Sequence, residues 1–215
     1  MAKDRGDLLQ RALAADPTDE TAHRILGAAA EQAEDFGLRR FTIDEVARRV
    51  GLSRVTVYRH FPKKDQLITA LLLRELRRFL TQLDAVVDEH PTPEAKLTEG
   101  LLFCLNYLRG HRLLGRLLRT EPELILPHLT TKGAPVISAA RGWIARLIRN
   151  EIIQGRVVSL PDDDVEVIAE ILVRIVISLV ISPDTALPVD SPDAQRRLAQ
   201  RYLDPVVAAL RPPKK

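Results

Sequence analysis

Between Arg54 and Lys64 the chain sets Arg54, Thr56, Tyr58, Arg59, His60, Lys63 and Lys64 within a single short stretch. Guanidinium and ammonium groups bond phosphate oxygens, and hydroxyl, imidazole and guanidinium groups also bond the donor and acceptor edges of bases. From Arg39 to Lys64 eight basic residues stand against two acidic ones, a net +6, whereas the whole chain carries +3. The remainder is then net −3. A basic patch on an otherwise slightly acidic protein is the electrostatic footprint of a nucleic-acid site.

The elements that must position these residues are legible around them. Thr42 and Glu45 form a T-x-x-E capping-box signature where a helix starts. Ile43, Val46, Ala47 and Val50 follow at helical spacing, and Gly51 stands where a left-handed residue ends a helix. Ser53 is a good N-cap for a second helix running to about His60. Two helices separated by so few residues read as a helix-turn-helix. Val57 and Phe61 are four apart and face the core, which leaves Arg54, Val55, Tyr58, Arg59 and His60 on the sides and front. Lys63 and Lys64 open the next helix, whose N-terminus suits a phosphate. The expected DNA-contact set is Thr42, Ser53, Arg54, Val55, Thr56, Tyr58, Arg59, His60, Lys63 and Lys64. An earlier helix, with Ala22, Ile25, Leu26, Ala29, Ala33 and Phe36 on one stripe and Gly37 as its C-cap, packs behind the pair as a third, supporting helix.

The run Gly51-Leu52-Ser53-Arg54-Val55-Thr56-Val57-Tyr58-Arg59-His60-Phe61-Pro62-Lys63-Lys64-Asp65-Gln66-Leu67 resembles the signature of TetR-type transcriptional regulators. The resemblance is specific from Thr21 to Leu72; beyond that only helix count and length agree. It implies an all-α protein: an N-terminal three-helix DNA-binding domain with a helix-turn-helix, then a helical ligand-binding and dimerisation domain. Val55 departs from the pattern, since Gly or Ala is frequent there; Val57 replaces a common leucine.

Composition sets the wider frame. Apolar content of 46% supports a sizeable core, and only 4% of residues are aromatic, so that core is aliphatic and favours helices. The single cysteine, Cys104, excludes an internal disulfide, fits a reducing compartment and sits in an apolar run as a small core residue. The N-terminus lacks the apolar region of a signal peptide, and the most apolar run, 165–181, is broken by Glu166, Glu170 and Arg174. A soluble, cytoplasmic protein without membrane contact is expected.

Residues 1–17 read as a mobile extension, 18–66 as the DNA-binding domain, 67–210 as the effector-binding and dimerisation domain, and 211–215 as a tail. A long amphipathic helix from Lys63 to Asp88 links the two domains. Further helices are expected near 93–108, 111–119, 122–130, 135–154, 162–181 and 192–209, several opened by proline at a first helical position. The broadest apolar faces fall on 135–154 and 162–181. Ile137, Ile144, Leu147, Ile148, Ile168, Ile171, Leu172, Ile175 and Leu179 are the expected dimer interface, because a helix apolar over most of its circumference needs burial on two sides. TetR-like proteins pair through their last long helices, which agrees. The resemblance implies that the middle helices enclose a pocket, with Phe103, Asn106, Tyr107, His111, Trp143 and Arg174 as candidate lining.

Catalysis and cofactors are not expected. The sequence holds no nucleophile elbow or nucleotide loop, the five histidines lack ligand spacing, and Asp162-Asp163-Asp164 is explained by helix-start dipole compensation without a metal. The expected function is a homodimeric, ligand-responsive DNA-binding regulator, a repressor released from a pseudo-palindromic double-stranded operator by a small, mostly apolar effector. The alternative drops the effector and leaves the C-terminal domain to dimerise or bind a protein. The run from Val173 to Pro188 faintly resembles QsdR-like regulators, linked to lactone signalling.

Overall fold

The computed structural model describes residues 19–182 and 184–211, and within them every regular element is helical. In chain order these are α1 (Glu20–Phe36), α2 (Ile43–Val50), α3 (Arg54–His60), α4 (Lys64–Asp88), α5 (Pro93–Gly110), α6 (Arg112–Thr120), α7 (Pro122–Leu129), α8 (Ala134–Ile153), α9 (Asp162–Ile181) and α10 (Pro192–Leu198). A π-helical turn, Ala199–Leu203, joins α10 to α11 (Asp204–Ala208), so the expected last helix is three shorter pieces. The extension 1–17 and all but Arg211 of the tail lie outside the described residues. No described helix is long and apolar enough to cross a membrane.

The chain divides into two compact units. The first takes the residues up to Arg78 together with His111–Ala139; the second takes Phe79–Gly110 and the residues from Ala140 onward. This differs from the expected boundary at residue 66. The reason is visible in the core of the first unit. Ile25 and Ala29 of α1, Val46 of α2, Val57 of α3, Leu67 and Leu71 of α4, Leu113 and Leu117 of α6 and Ile125 of α7 share one buried cluster. Helices α6 and α7 therefore complete the core on which the helix-turn-helix rests. Short local propensity cannot reveal this, because the burial partners are distant in sequence.

In the second unit Val165 and Ala169 of α9 pack with Ala145 of α8, and Ile144 and Ile148 lean against them. Leu105 of α5, Leu179 of α9, Val189 and Leu198 of α10 form a separate cluster. Cys104 is buried and free, and burial pushes its thiol up to about 12, so it stays protonated as a small core residue.

Candidate nucleic-acid interface

Each end of α2 is closed by an identifiable group. Thr42 Oγ1 accepts the Glu45 amide at 3.2 Å, which caps α2. The Glu45 carboxylate is taken by Arg48, at 2.5 and 2.6 Å. At the other end Gly51 is left-handed (φ 72°, ψ 32°). The Leu52 amide returns to Ala47 O at 3.0 Å and the Gly51 amide to Arg48 O at 3.3 Å, the paired bonds of a Schellman motif. Ser53 Oγ then accepts the Thr56 amide at 3.1 Å and starts α3.

Fully buried Val57 pins α3 to the core, and half-buried Phe61 packs on the same cluster. On the opposite side Val55 is 78% exposed and Tyr58 48% exposed, and Arg59 and Lys63 also face solvent. Other expected contact residues are engaged within the protein. Arg54 Nε lies 3.0 Å from Asp44 Oδ1. The Thr56 and Ser53 hydroxyls are 2.8 Å apart. His60 is half-buried, with Nδ1 3.0 Å from Asp19 Oδ2, the carboxylate that caps α1. Lys64 Nζ donates to Leu38 O at 3.0 Å and lies 5.9 Å from the centre of the Phe41 ring. His60 and Lys64 thus hold α1 and its following loop against the helix-turn-helix, a role their side-chain chemistry alone did not announce.

Sequence reading missed the groups that fix the α1–α2 loop. Glu121, between α6 and α7 and only 7% exposed, accepts the Leu38 amide at 2.6 Å and the Arg39 amide at 2.9 Å through one oxygen. Arg39 pairs with Glu123, and Arg116 donates to the carbonyls of Glu34 and Asp35, the last of these at 2.7 Å. The Glu121-Pro122 dipeptide signalled only a helix start. Nothing local tells of a partner more than eighty residues upstream.

The expected pocket residues do not all come together. Phe103 and Tyr107 of α5 do, with ring centres 5.3 Å apart, and both meet Phe79, which sequence reading left out, at 5.7 and 5.2 Å. Asn106 is exposed and accepts from Gln195 at 3.3 Å; it stands about 100° round the helix from Tyr107. Arg174 is exposed and donates to Glu170 at 2.7 and 2.9 Å. His111 caps α6, its Nδ1 accepting the Leu114 amide at 3.3 Å. Trp143 is half-buried, and its buried indole N–H has no hydrogen-bond partner among the described residues.

The expected interface residues also divide. Ile137 and Leu179 are buried within the single chain, which leaves them little surface for a second one. On α9 the inward row is Val165, Ala169 and Val173; two positions on, a rotation of about 200°, the row Val167, Ile171 and Ile175 is exposed. Ile144, Leu147, Ile148, Ile168 and Leu172 are half-buried. The triple aspartate occupies the first turn of α9, where Asp162 pairs with Arg149 at 2.8 Å.

Residues 25–71 match the pattern of bacterial regulatory proteins of the tetR family. Residues 93–201, half of the chain, match the bacterial tetracyclin repressor C-terminal domain. The chain belongs to the TetR family. A relative of this TetR-family chain, an HTH-type transcriptional regulator of Mycobacterium bovis, is 31% identical over 102 residues, covering 47% of this chain and 52% of the relative. The chain thus spans about half the length of that relative. Among solved structures it is similar to the TetR-family repressor AlkX from a Dietzia strain, implicated in biodegradation of n-alkanes. That pair has 24% identity and a TM-score of 0.69, covering 88% of this chain and 98% of the other. It is also similar to the R. erythropolis repressor QsdR, with 16% identity and a TM-score of 0.63, covering 93% and 100%. At these identities the likeness shows the shared TetR-family fold.

Proposed function

We propose that this TetR-family chain is a homodimeric transcriptional regulator, a repressor released from a pseudo-palindromic operator by a small, mostly apolar effector. The observation that carries the reading is the solvent-facing edge of α3. Val55, Tyr58 and Arg59 stand out from a helix that buried Val57 locks to the core, and Lys63 follows just beyond. One short helix reads only a few base pairs, and two related by a dyad reach successive major grooves about 34–36 Å apart. The exposed row Val167, Ile171 and Ile175 supports pairing, since an apolar helix face left in water favours a second copy. The Phe79–Phe103–Tyr107 cluster and the unpartnered indole N–H of Trp143 support an apolar effector with a polar anchor.

Helix α4 runs unbroken from Lys64, beside α3, to Asp88. An effector that displaces its distal half changes the spacing of the two reading helices, provided it binds one state better than the other. Genomic fragments captured by the purified protein test the reading. A pseudo-palindrome beside a metabolic or efflux operon is expected, with affinity lowered by a metabolite of that pathway. Absence of an enriched motif at moderate salt refutes sequence-specific regulation, and an operator affinity that no such metabolite changes refutes the effector switch.

A further inference from the structure

We infer that Val55 is a sequence-reading residue for this chain and that the group it reads is the C5-methyl of thymine in the major groove. The inference rests on the DNA-binding reading above and adds to it the identity of the base group.

Val55 is the second residue of α3 and, at 78%, is far more exposed than an apolar side chain in a packed helix pair needs to be. Its neighbours are committed elsewhere. Arg54 is drawn to Asp44 at 3.0 Å, the Thr56 hydroxyl to Ser53 at 2.8 Å, and Val57 is fully buried. Along this first turn, beside an Arg54 side chain that is exposed but held toward Asp44, the apolar group left standing clear of the protein surface is an isopropyl group. It is stiff, because a β-branched side chain in a helix holds essentially one χ1 rotamer, so it presents a fixed apolar surface at little entropic cost.

Beside their hydrogen-bond donors and acceptors, major-groove base edges present one methyl group, that of thymine, which is the natural partner of a small apolar side chain. The surroundings favour DNA over an apolar protein partner. Val55 lies inside the stretch of net +6, with Arg59 and Lys63 exposed nearby, and those charges hold phosphates while Val55 meets a base. The residues at the start of a reading helix are the ones that reach base edges.

The test uses the full chain and an operator selected from random duplexes. Each thymidine of the selected site is replaced, one symmetric pair at a time, by deoxyuridine, which lacks only the methyl. At one pair the wild-type protein should lose about threefold to fivefold in affinity per half-site, the cost of leaving one methyl group unburied. Val55→Ala should bind the thymidine operator with a similar loss and be indifferent to deoxyuridine at that same pair, while keeping its thermal midpoint because the site is exposed. Selections with Val55→Ala should relax the base preference at that position alone. The proposal is overturned if Val55→Ala is as sensitive as wild type to every deoxyuridine replacement, or if wild type is sensitive to none. A wild-type protein that selects no sequence overturns the DNA-binding reading itself, and this proposal with it.

Discussion

One oxygen of the Glu121 carboxylate accepts the amide hydrogen of Leu38 at 2.6 Å and that of the adjoining Arg39 at 2.9 Å. The carboxylate thereby replaces water at the exit of α1, and the segment between α6 and α7 is fastened to the loop that leads into the helix-turn-helix. Gly37 makes the approach possible. Its φ of 75° with ψ of −178° is a region essentially reserved for glycine, and a Cβ there would stand 2.1 Å from Glu121 Oε1. Gly37→Ala should therefore cost at least about 1–3 kcal/mol from backbone strain alone. In a chain of this size that lowers Tm by several degrees. Glu121→Ala, which leaves two amides without their acceptor, should cost a similar amount. Thermal melts followed by circular dichroism check both, and an unchanged midpoint in either would show that the loop is held by other contacts.

Tyr58 and His60 were expected to act alike, and the structure separates them. Tyr58 is half exposed with its ring outward; His60 is tucked against Asp19. Tyr58→Ala should weaken operator binding about tenfold or more, the loss of roughly 1.4 kcal/mol or more, with no change in melting. His60→Ala should lower Tm by a few degrees through loss of the bond that steadies the start of α1. Paired binding isotherms and melts distinguish these outcomes; a normal melt for His60→Ala with lost binding would return His60 to the DNA face.

The two adjacent lysines should also part company. Lys63 is exposed, whereas the Lys64 ammonium is bonded to Leu38 O. Lys63→Ala should weaken binding evenly across sequences and flatten the dependence of affinity on salt by about one counterion. Lys64→Ala should act first on stability. Salt titrations of operator affinity for the two variants provide the check, and a reduced slope for Lys64→Ala alone would reverse the assignment.

The exposed row on α9 makes a direct demand on assembly. Ile171→Asp or Ile175→Asp places a charge where a second copy is proposed to bury an apolar surface, and should dissociate the dimer at micromolar concentration while leaving helical content intact. Sedimentation velocity reads the outcome. A dimer that survives both changes would place the seam away from this row.

Acid sensitivity should trace in part to Glu151. This carboxylate is buried at the end of α8, with Arg156 Nη2 at 2.7 Å and Lys96 Nζ at 2.9 Å from Oε1. Its pKa is held below the ordinary 4.5, first by the hydrogen bond from Arg156, against the opposing effect of burial, and with help from Lys96. A folded pKa below the unfolded one means the stabilisation is complete above about pH 4.5 and is lost as pH falls through the folded value. Glu151→Gln should cost about 3 kcal/mol at neutral pH, because it leaves two partly buried cations without their anion. It should also flatten the stability profile below pH 4.5. Urea unfolding between pH 3 and 7 checks the sign; parallel profiles for variant and wild type would contradict it.

What the sequence determined by itself was whatever short-range chemistry controls. The caps at Thr42 and Ser53, the left-handed Gly51, the buried Val57 and the helix spans opened by proline follow from interactions over three to five residues, and such interactions are written in the local order of side chains. The charge patch was equally legible, because net charge needs only counting. Tertiary structure decided which of several chemically competent side chains were free. Arg54, His60 and Lys64 each have the donors to meet DNA, and each finds a partner on another segment, at Asp44, Asp19 and Leu38. It also decided that α6 and α7 complete the core under the helix-turn-helix, that Glu121 closes the loop after α1, and which row of α9 is left in water. These outcomes depend on contacts across tens of residues of chain and on the rotational phase at which each helix docks. A helical repeat in the sequence states that a buried face exists; only packing selects the neighbour that buries it.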